Sequence, residues 1–270
     1  MLATLASEPT RHVDDVTAFQ AHRPSRDTTR AALEGGFSAA RMGWAFAAGY
    51  RAATVALLGA PAAIVISEAG GTHPRAIQTR FEKGRLTGDK SFVTLPEVFP
   101  RLAVLARRED GALAMALCRT SEVTLTPRRP SPFIPEIPHF RARLDGVCGE
   151  LLEEDGWQLS KRFRTQEDIH VTLATLGFLM RTRWDHETTQ ALYGCISQLL
   201  GCATLPDTDP GTLVALGDAL ERTLHVFRGL PLEHMPEPDR GRWQRDQMLL
   251  SLPQAVHSRR LERALEDLNR

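Results

Sequence analysis

The chain has 270 residues, 42% of them hydrophobic and 24% charged, enough to bury a sizeable core in two or three compact units. Lysine plus arginine equals aspartate plus glutamate at 33 each, so no net field recruits a polyanion, and nucleic acid is set aside as a partner. Cys118, Cys148, Cys195 and Cys202 form no CxxC pair and have no metal-type histidine spacing beside them; they read as reduced thiols of a cytoplasmic protein without a metal site.

Residues 1–30 are polar and turn-rich, and acids and polar residues from Glu8 to Asp15 interrupt any signal-like apolar core. They are expected to form a loose lead-in without a function of its own. Over 29–58 the small and apolar residues, among them Phe37, Met42, Trp44, Phe46 and Leu57, predict one or two buried helices ending at Gly59 and Pro61. The abundance of alanine there favours close helix packing. The most apolar run, 42–66, carries Arg51 and the breakers Gly59 and Pro61, so no membrane span is expected.

The texture then changes. Short runs at 63–67, 77–82, 85–94, 102–107, 112–118 and 122–126 have strand character and are separated by Gly, Pro, Asp and Lys, as antiparallel turns would be. Lys83-Gly84 sits where a hairpin turn is expected. A proline-rich passage over 127–138 leads to a last strand around 140–144. Beyond Gly156 the pattern turns helical, with candidate helices at 165–183, 187–200, 211–228 and 240–269. The expected architecture is α+β: a reduced helical N-terminal region (1–62), a central antiparallel β-barrel or sandwich domain (63–150) and a C-terminal helical bundle (151–270).

Three segments carry a likeness to a known family. The first reads Ile64-Val65-Ile66-Ser67-Glu68-Ala69-Gly70-Gly71-Thr72, followed by Thr79; the second reads Gly88-Asp89-Lys90-Ser91-Phe92-Val93-Thr94. The third runs from Phe140 to Val147 and on through Leu151-Leu152-Glu153-Glu154-Asp155-Gly156. In order and spacing these resemble the acyl-CoA dehydrogenases, whose strand ends in a Thr-Glu-Pro-Gly-Ala-Gly-Ser-Asp type stretch followed by Gly-x-Lys-x-aromatic-Ile/Val-Thr/Ser. Ala69, Thr72 and His73 depart from that pattern at its Pro, Ser and Asp.

The resemblance implies FAD as cofactor and an acyl-CoA or acyl-carrier thioester as substrate, in a homo- or hetero-oligomer. An isoalloxazine ring needs backbone donors at one edge and an apolar wall against one face. By likeness, Ser67 and Thr72, with the backbone at Ile66 and Gly71, address the pyrimidine side; Phe92 replaces the usual tryptophan wall and Thr94 approaches N5. Taken alone, the first segment also reads as a strand end and turn, and Phe92 as a core aromatic in a hairpin.

The family's chemistry needs a carboxylate base for the α-proton of the thioester, and the likeness offers two positions for it. After Arg245-Asp246 the first position holds Gln254, a neutral amide without useful basicity. The second falls on Glu167, with Gly177 ten residues later, and Glu167 is the catalytic candidate. Thr165-Gln166-Glu167-Asp168 reads equally as a helix N-terminus, with a capping threonine and first-turn acids. His170 on the same segment reads as a satisfied or solvated side chain, and the arginine-rich stretch 259–263 as a solvated helix face.

No GxSxG elbow, P-loop, HExxH helix or GxGxxG after a strand is present. Two functions stay open: α,β-dehydrogenation of an acyl thioester with hydride transfer to FAD, or a degenerate, noncatalytic partner subunit or binding protein.

Overall fold

In the computed structural model of the chain, residues 13–22, 24–251 and 254–269 are described, the side chains of 251 and 254–258 excepted. They fall into two compact units. One comprises the residues through Ala53, Pro132–Ile134 and those from Thr165 onward; the other comprises Thr54–Ser131 and Pro135–Arg164.

The first unit is helical. Residues 16–21, expected in a loose lead-in, form a short helix, α1 (Val16–Ala21), because Asp15 accepts the Ala18 N–H at 2.7 Å and so satisfies an otherwise orphan donor. The rest of the lead-in before residue 13 lies outside the described residues. Asp27 caps α2 (Thr28–Ser38) through the N–H groups of Thr29 and Arg30. Then come α3 (Met42–Leu58), whose residues from Thr54 onward belong to the second unit, α4 (Gly156–Leu179), whose residues through Arg164 do so as well, α5 (His186–Cys202) and α6 (Pro210–Arg228), the last two capped by Asp185 and Asp209. The single helix expected over 240–269 is instead α7 (Asp239–Asp246), α8 (Met248–Ser251) and α9 (Gln254–Leu268). A proline at 253 has no N–H to carry one helix through.

Small residues set the helix spacing. A β-carbon on Gly36 would stand 1.9 Å from the Ala174 carbonyl oxygen, and one on Gly177 would stand 2.2 Å from that of Leu33, so α2 and α4 pack backbone to backbone. Ala31 and Ala32 on α2 and Ala45, Ala47 and Ala48 on α3 are buried, and a β-carbon on Gly35 would stand 2.6 Å from that of Ala48, the close packing that the abundance of alanine favours.

The second unit is an eight-stranded sheet. Its strands are β1 (Ala63–Val65), β2 (Arg80–Glu82), β3 (Arg85–Thr94), β4 (Arg101–Arg108), β5 (Leu113–Arg119), β6 (Thr124–Pro127), β7 (His139–Cys148) and β8 (Glu150–Asp155). The order is β6-β7-β3-β2-β4-β5-β8, with β1 beside β4. Two expectations are corrected here. The sheet is open, with β6 and β8 at its ends, and is not a closed barrel; it is also mixed, because β1 and β2 both run parallel to β4. The hairpin at Lys83-Gly84 forms as expected, both residues taking positive φ of 48° and 76° between β2 and β3, the geometry of a two-residue turn that matches strand twist.

Strand β8 was not foreseen, and α4 starts at Gly156 rather than at Thr165. Asp155 caps the helix by accepting the Gln158 N–H at 2.8 Å, and Leu159 and Phe163 bury at helical spacing beyond it. A β-carbon on Gly156 would meet Ala114 backbone carbon at 2.4 Å, so only glycine lets the chain turn from β8 into the helix against β5. No helix among the described residues is long and apolar enough to cross a membrane.

Candidate functional site

Within the sheet unit the first two sequence segments come together. The Ser91 N–H donates to the Ser67 carbonyl at 2.8 Å. Beneath this bond, Lys90 Nζ donates to Glu68 Oε1 at 2.7 Å, to the Leu105 carbonyl at 2.6 Å and to the Ile66 carbonyl at 3.1 Å. All three ammonium donors are thereby used. Glu68 also accepts the N–H groups of Gln78 and Thr79 at 2.7 and 3.0 Å. Burial works to raise the Glu68 pKa, but the hydrogen bond and charge of Lys90 and the Gln78 N–H outweigh it and hold the carboxyl below its ordinary value. Burial of Lys90 outweighs its pairing and brings the ammonium down to about 8. Both groups are thus charged at neutral pH.

From Glu68 the chain makes a tight turn closed by reciprocal bonds between Glu68 and Gly71, N to O at 3.0 and 2.9 Å, with Gly71 at φ 102°. Thr72 is exposed and Ser67 and Ile66 are half-buried. The N–H groups of Ala69, Gly70 and Thr72 have no hydrogen-bond partner among the described residues.

Further along β3, Phe92 is 40% exposed. Its ring lies against the His139 imidazole, centroids 4.3 Å apart, with the Arg128 guanidinium 5.1 Å from its centroid. Arg128 is fixed by a bond to the Ser91 carbonyl at 2.6 Å. The Thr94 hydroxyl, nearly buried, faces His139 Nδ1 at 3.3 Å. Burial, helped by the charge of Arg128, brings the His139 pKa down to about 4, so the imidazole is neutral and its ring can serve Thr94 as either donor or acceptor. Ile66, Ser67, Gly71, Thr72, Phe92 and Thr94 therefore all lie in this one unit, the first four around the turn and the last two along β3.

Sequence reasoning missed the Glu68–Lys90 pair, Arg128 and His139. The pair had a signal: Lys90 shares the strand face of the buried Leu86, a position that demands a partner for a charge. His139 had none, since 45 residues separate it from Thr94.

Glu167 lies in the helical unit. Because α4 begins at Gly156, Glu167 is an interior residue of the helix, and the alternative of a first-turn acid near a capping Thr165 is corrected. Thr165 is buried, donating to the Asp207 carbonyl at 3.0 Å and accepting from Arg260 at 2.8 Å. Glu167 is half-buried and borders a cavity of about 170 Å³ whose other walls are Phe46 on α3, Asp168, Val171 and Thr172 on α4, Leu220, Thr223, Leu224 and Phe227 on α6, and Leu249 and Leu250 on α8. Asp168 is held by Arg260 at 2.7 Å. Arg260, expected on a solvated face, thus ties α9 to α4. His170 is buried with both ring nitrogens engaged, at 2.7 Å from the Gln166 carbonyl and 3.0 Å from the Thr28 hydroxyl, which makes it a strut between α4 and α2.

The Arg245-Asp246 pair is also structural. Asp246 is fully buried; it takes two bonds from Arg245 at 2.6 and 2.7 Å and accepts the Ile134 N–H at 2.8 Å. It thereby fastens Ile134, whose φ is 43°. Gln254 begins α9, and its side chain lies outside the described residues.

No protein-family model matches the sequence, and no curated protein does. Solved structures do match. A FAD-dependent dehydrogenase superposes with a TM-score of 0.64 at 15% identity, covering 88% of this chain and 83% of that one. Butyryl-CoA dehydrogenase from Megasphaera elsdenii gives 0.65 at 15% identity, covering 88% and 81%. FkbI, for biosynthesis of the methoxymalonyl extender unit of the Fk520 polyketide, gives 0.65 at 16% identity, covering 93% and 88%. The fold is that of the acyl-CoA dehydrogenases, in agreement with the resemblance in the sequence.

Proposed function

We propose that this chain, built on the acyl-CoA dehydrogenase fold, is a flavin-dependent oxidoreductase that desaturates an acyl thioester, with FAD as cofactor and Glu167 as base. The observation that carries the reading is the setting of Glu167: a carboxylate in the wall of a cavity otherwise lined mainly by Phe, Leu and Val. A carboxylate in such a wall is the residue type that general-base removal of a carbon-bound proton needs.

The residues of the sheet unit fit a flavin. The exposed N–H groups of Ala69, Gly70 and Thr72 suit the acceptor edge of an isoalloxazine, and the exposed Phe92 ring suits its face. Their neighbour Thr94 offers a hydroxyl whose hydrogen-bonding sense is governed by neutral His139. When bound, the flavin supplies the acceptor for the hydride that leaves the β-carbon. Glu167 takes the α-proton on a carboxylate oxygen, the Cα–H electron pair becomes the second bond between Cα and Cβ, and an external electron acceptor closes the cycle. The adjacent Asp168 is held by Arg260 at 2.7 Å.

Glu167→Gln keeps shape and removes basicity. Turnover of acyl-CoA by the variant is expected to fall by roughly 10²-fold to 10⁴-fold, the usual worth of a general base, with the flavin content unchanged. Activity equal to that of the parent chain excludes Glu167 as the base. A second reading, a noncatalytic partner subunit, is favoured by Gln254 at the other base position; it requires that the chain turn over no thioester by itself.

A further inference from the structure

The cavity beside Glu167 also bears on which acyl groups enter. Two of its polar wall residues bond back onto their own helix. The Thr172 hydroxyl donates to the Asp168 carbonyl at 2.6 Å and the Thr223 hydroxyl to the Ala219 carbonyl at 2.7 Å. Each is a bond back to the residue four positions earlier on its own helix. Their methyl groups are what remains for the cavity. The Asp168 carboxylate is taken by Arg260. What lines the space is mostly hydrocarbon, with Glu167 at one border.

The volume is about 170 Å³. A dry apolar cavity of roughly 150 Å³ is filled by one benzene, a six-carbon solute. Phe46 on one side and Phe227 on another, the latter 4% exposed and set edge-on to the fully buried Trp243 with ring centroids 5.6 Å apart, leave little room to expand.

We infer that the Glu167 cavity selects short acyl thioesters, straight or branched, whose apolar tail has at most roughly the bulk of six carbons, and that long-chain acyl groups are excluded from it. The inference rests on the proposed role of this cavity as the acyl site. Within the limit, each added methylene is buried and tightens binding about fourfold; beyond it the next methylene finds no space and adds nothing.

The test is calorimetric titration of the full-length Glu167→Gln protein with straight-chain acyl-CoA thioesters from acetyl to dodecanoyl. The dissociation constant is expected to fall about fourfold per methylene as far as hexanoyl and then to level off or rise. Leu224→Ala, which enlarges the same cavity, is expected to move that break to a longer chain. Affinity that climbs without a break through dodecanoyl overturns the inference, as does affinity independent of chain length, or a break that Leu224→Ala leaves in place. Bleaching of flavin absorbance by acyl-CoA in the Glu167→Gln protein would instead count against the base assignment, while the chain-length series would still report on the cavity.

Discussion

Lys90 and Glu68 show how a single buried pair can fasten two distant stretches of chain. Lys90 is 1% exposed and Glu68 is 7% exposed, so each charge exists only because the other is there with its backbone partners. Lys90→Met would leave the Glu68 carboxylate buried against two N–H groups alone. The expected loss is about 3–5 kcal/mol of unfolding free energy, the usual cost of breaking a buried pair from one side. The double variant Glu68→Gln with Lys90→Met is expected to recover part of it. Urea unfolding of the three proteins measures both. A Lys90→Met protein as stable as the parent would show that the pair is not what joins the turn after β1 to β3. At this scale motif order groups Ser67, Phe92 and Thr94, which lie in one unit, whereas His139 and Arg128 reach Phe92 only through strand pairing, which no local pattern records.

The helix α4 is the element on which the catalytic proposal depends, since it carries Glu167, Asp168, His170 and Thr172. Its position against α2 is fixed by Gly36 and Gly177, where backbones touch. Gly177 therefore has a packing reason to be glycine that is independent of its agreement with the family spacing after Glu167. Gly177→Ala forces a β-carbon toward the Leu33 carbonyl and is expected to cost about 1–3 kcal/mol, as overpacking does. Gly194→Ala on α5, where a β-carbon meets nothing within 4 Å, is expected to be neutral or to stabilise by up to about 1 kcal/mol. Thermal unfolding of the two variants makes the comparison; equal midpoints would contradict the close crossing. Helix existence was legible here from apolar periodicity, but the start of α4 was not. Thr165 looks like a cap, and the deciding residues, Asp155 and Gly156, act through a strand that reads in sequence as a loop.

Across the molecule, the order of helices, sheet and helices was legible because hydrophobic period changes twice along the chain, near Ala63 and again beyond Gly156. The closure of the sheet was not, since an open edge and a paired edge have the same alternation of side chains. Of the two breaks in the last helical segment, only the one between α8 and α9 falls at a proline in the sequence. The cavity could not be read at all: Phe46, Glu167, Phe227 and Leu250 span most of the sequence and meet only through helix packing.

On the proposed function, the chain holds a flavin and uses it on an acyl thioester. The most direct measurement is the visible absorption spectrum of the purified full-length chain, loaded with FAD and titrated with butyryl-CoA in the absence of oxygen. A yellow protein whose flavin band bleaches with the thioester in the parent and not in Glu167→Gln is the predicted result. A chain that takes up no FAD, or one whose bound flavin keeps its full absorbance with every acyl-CoA from butyryl to dodecanoyl, would contradict it.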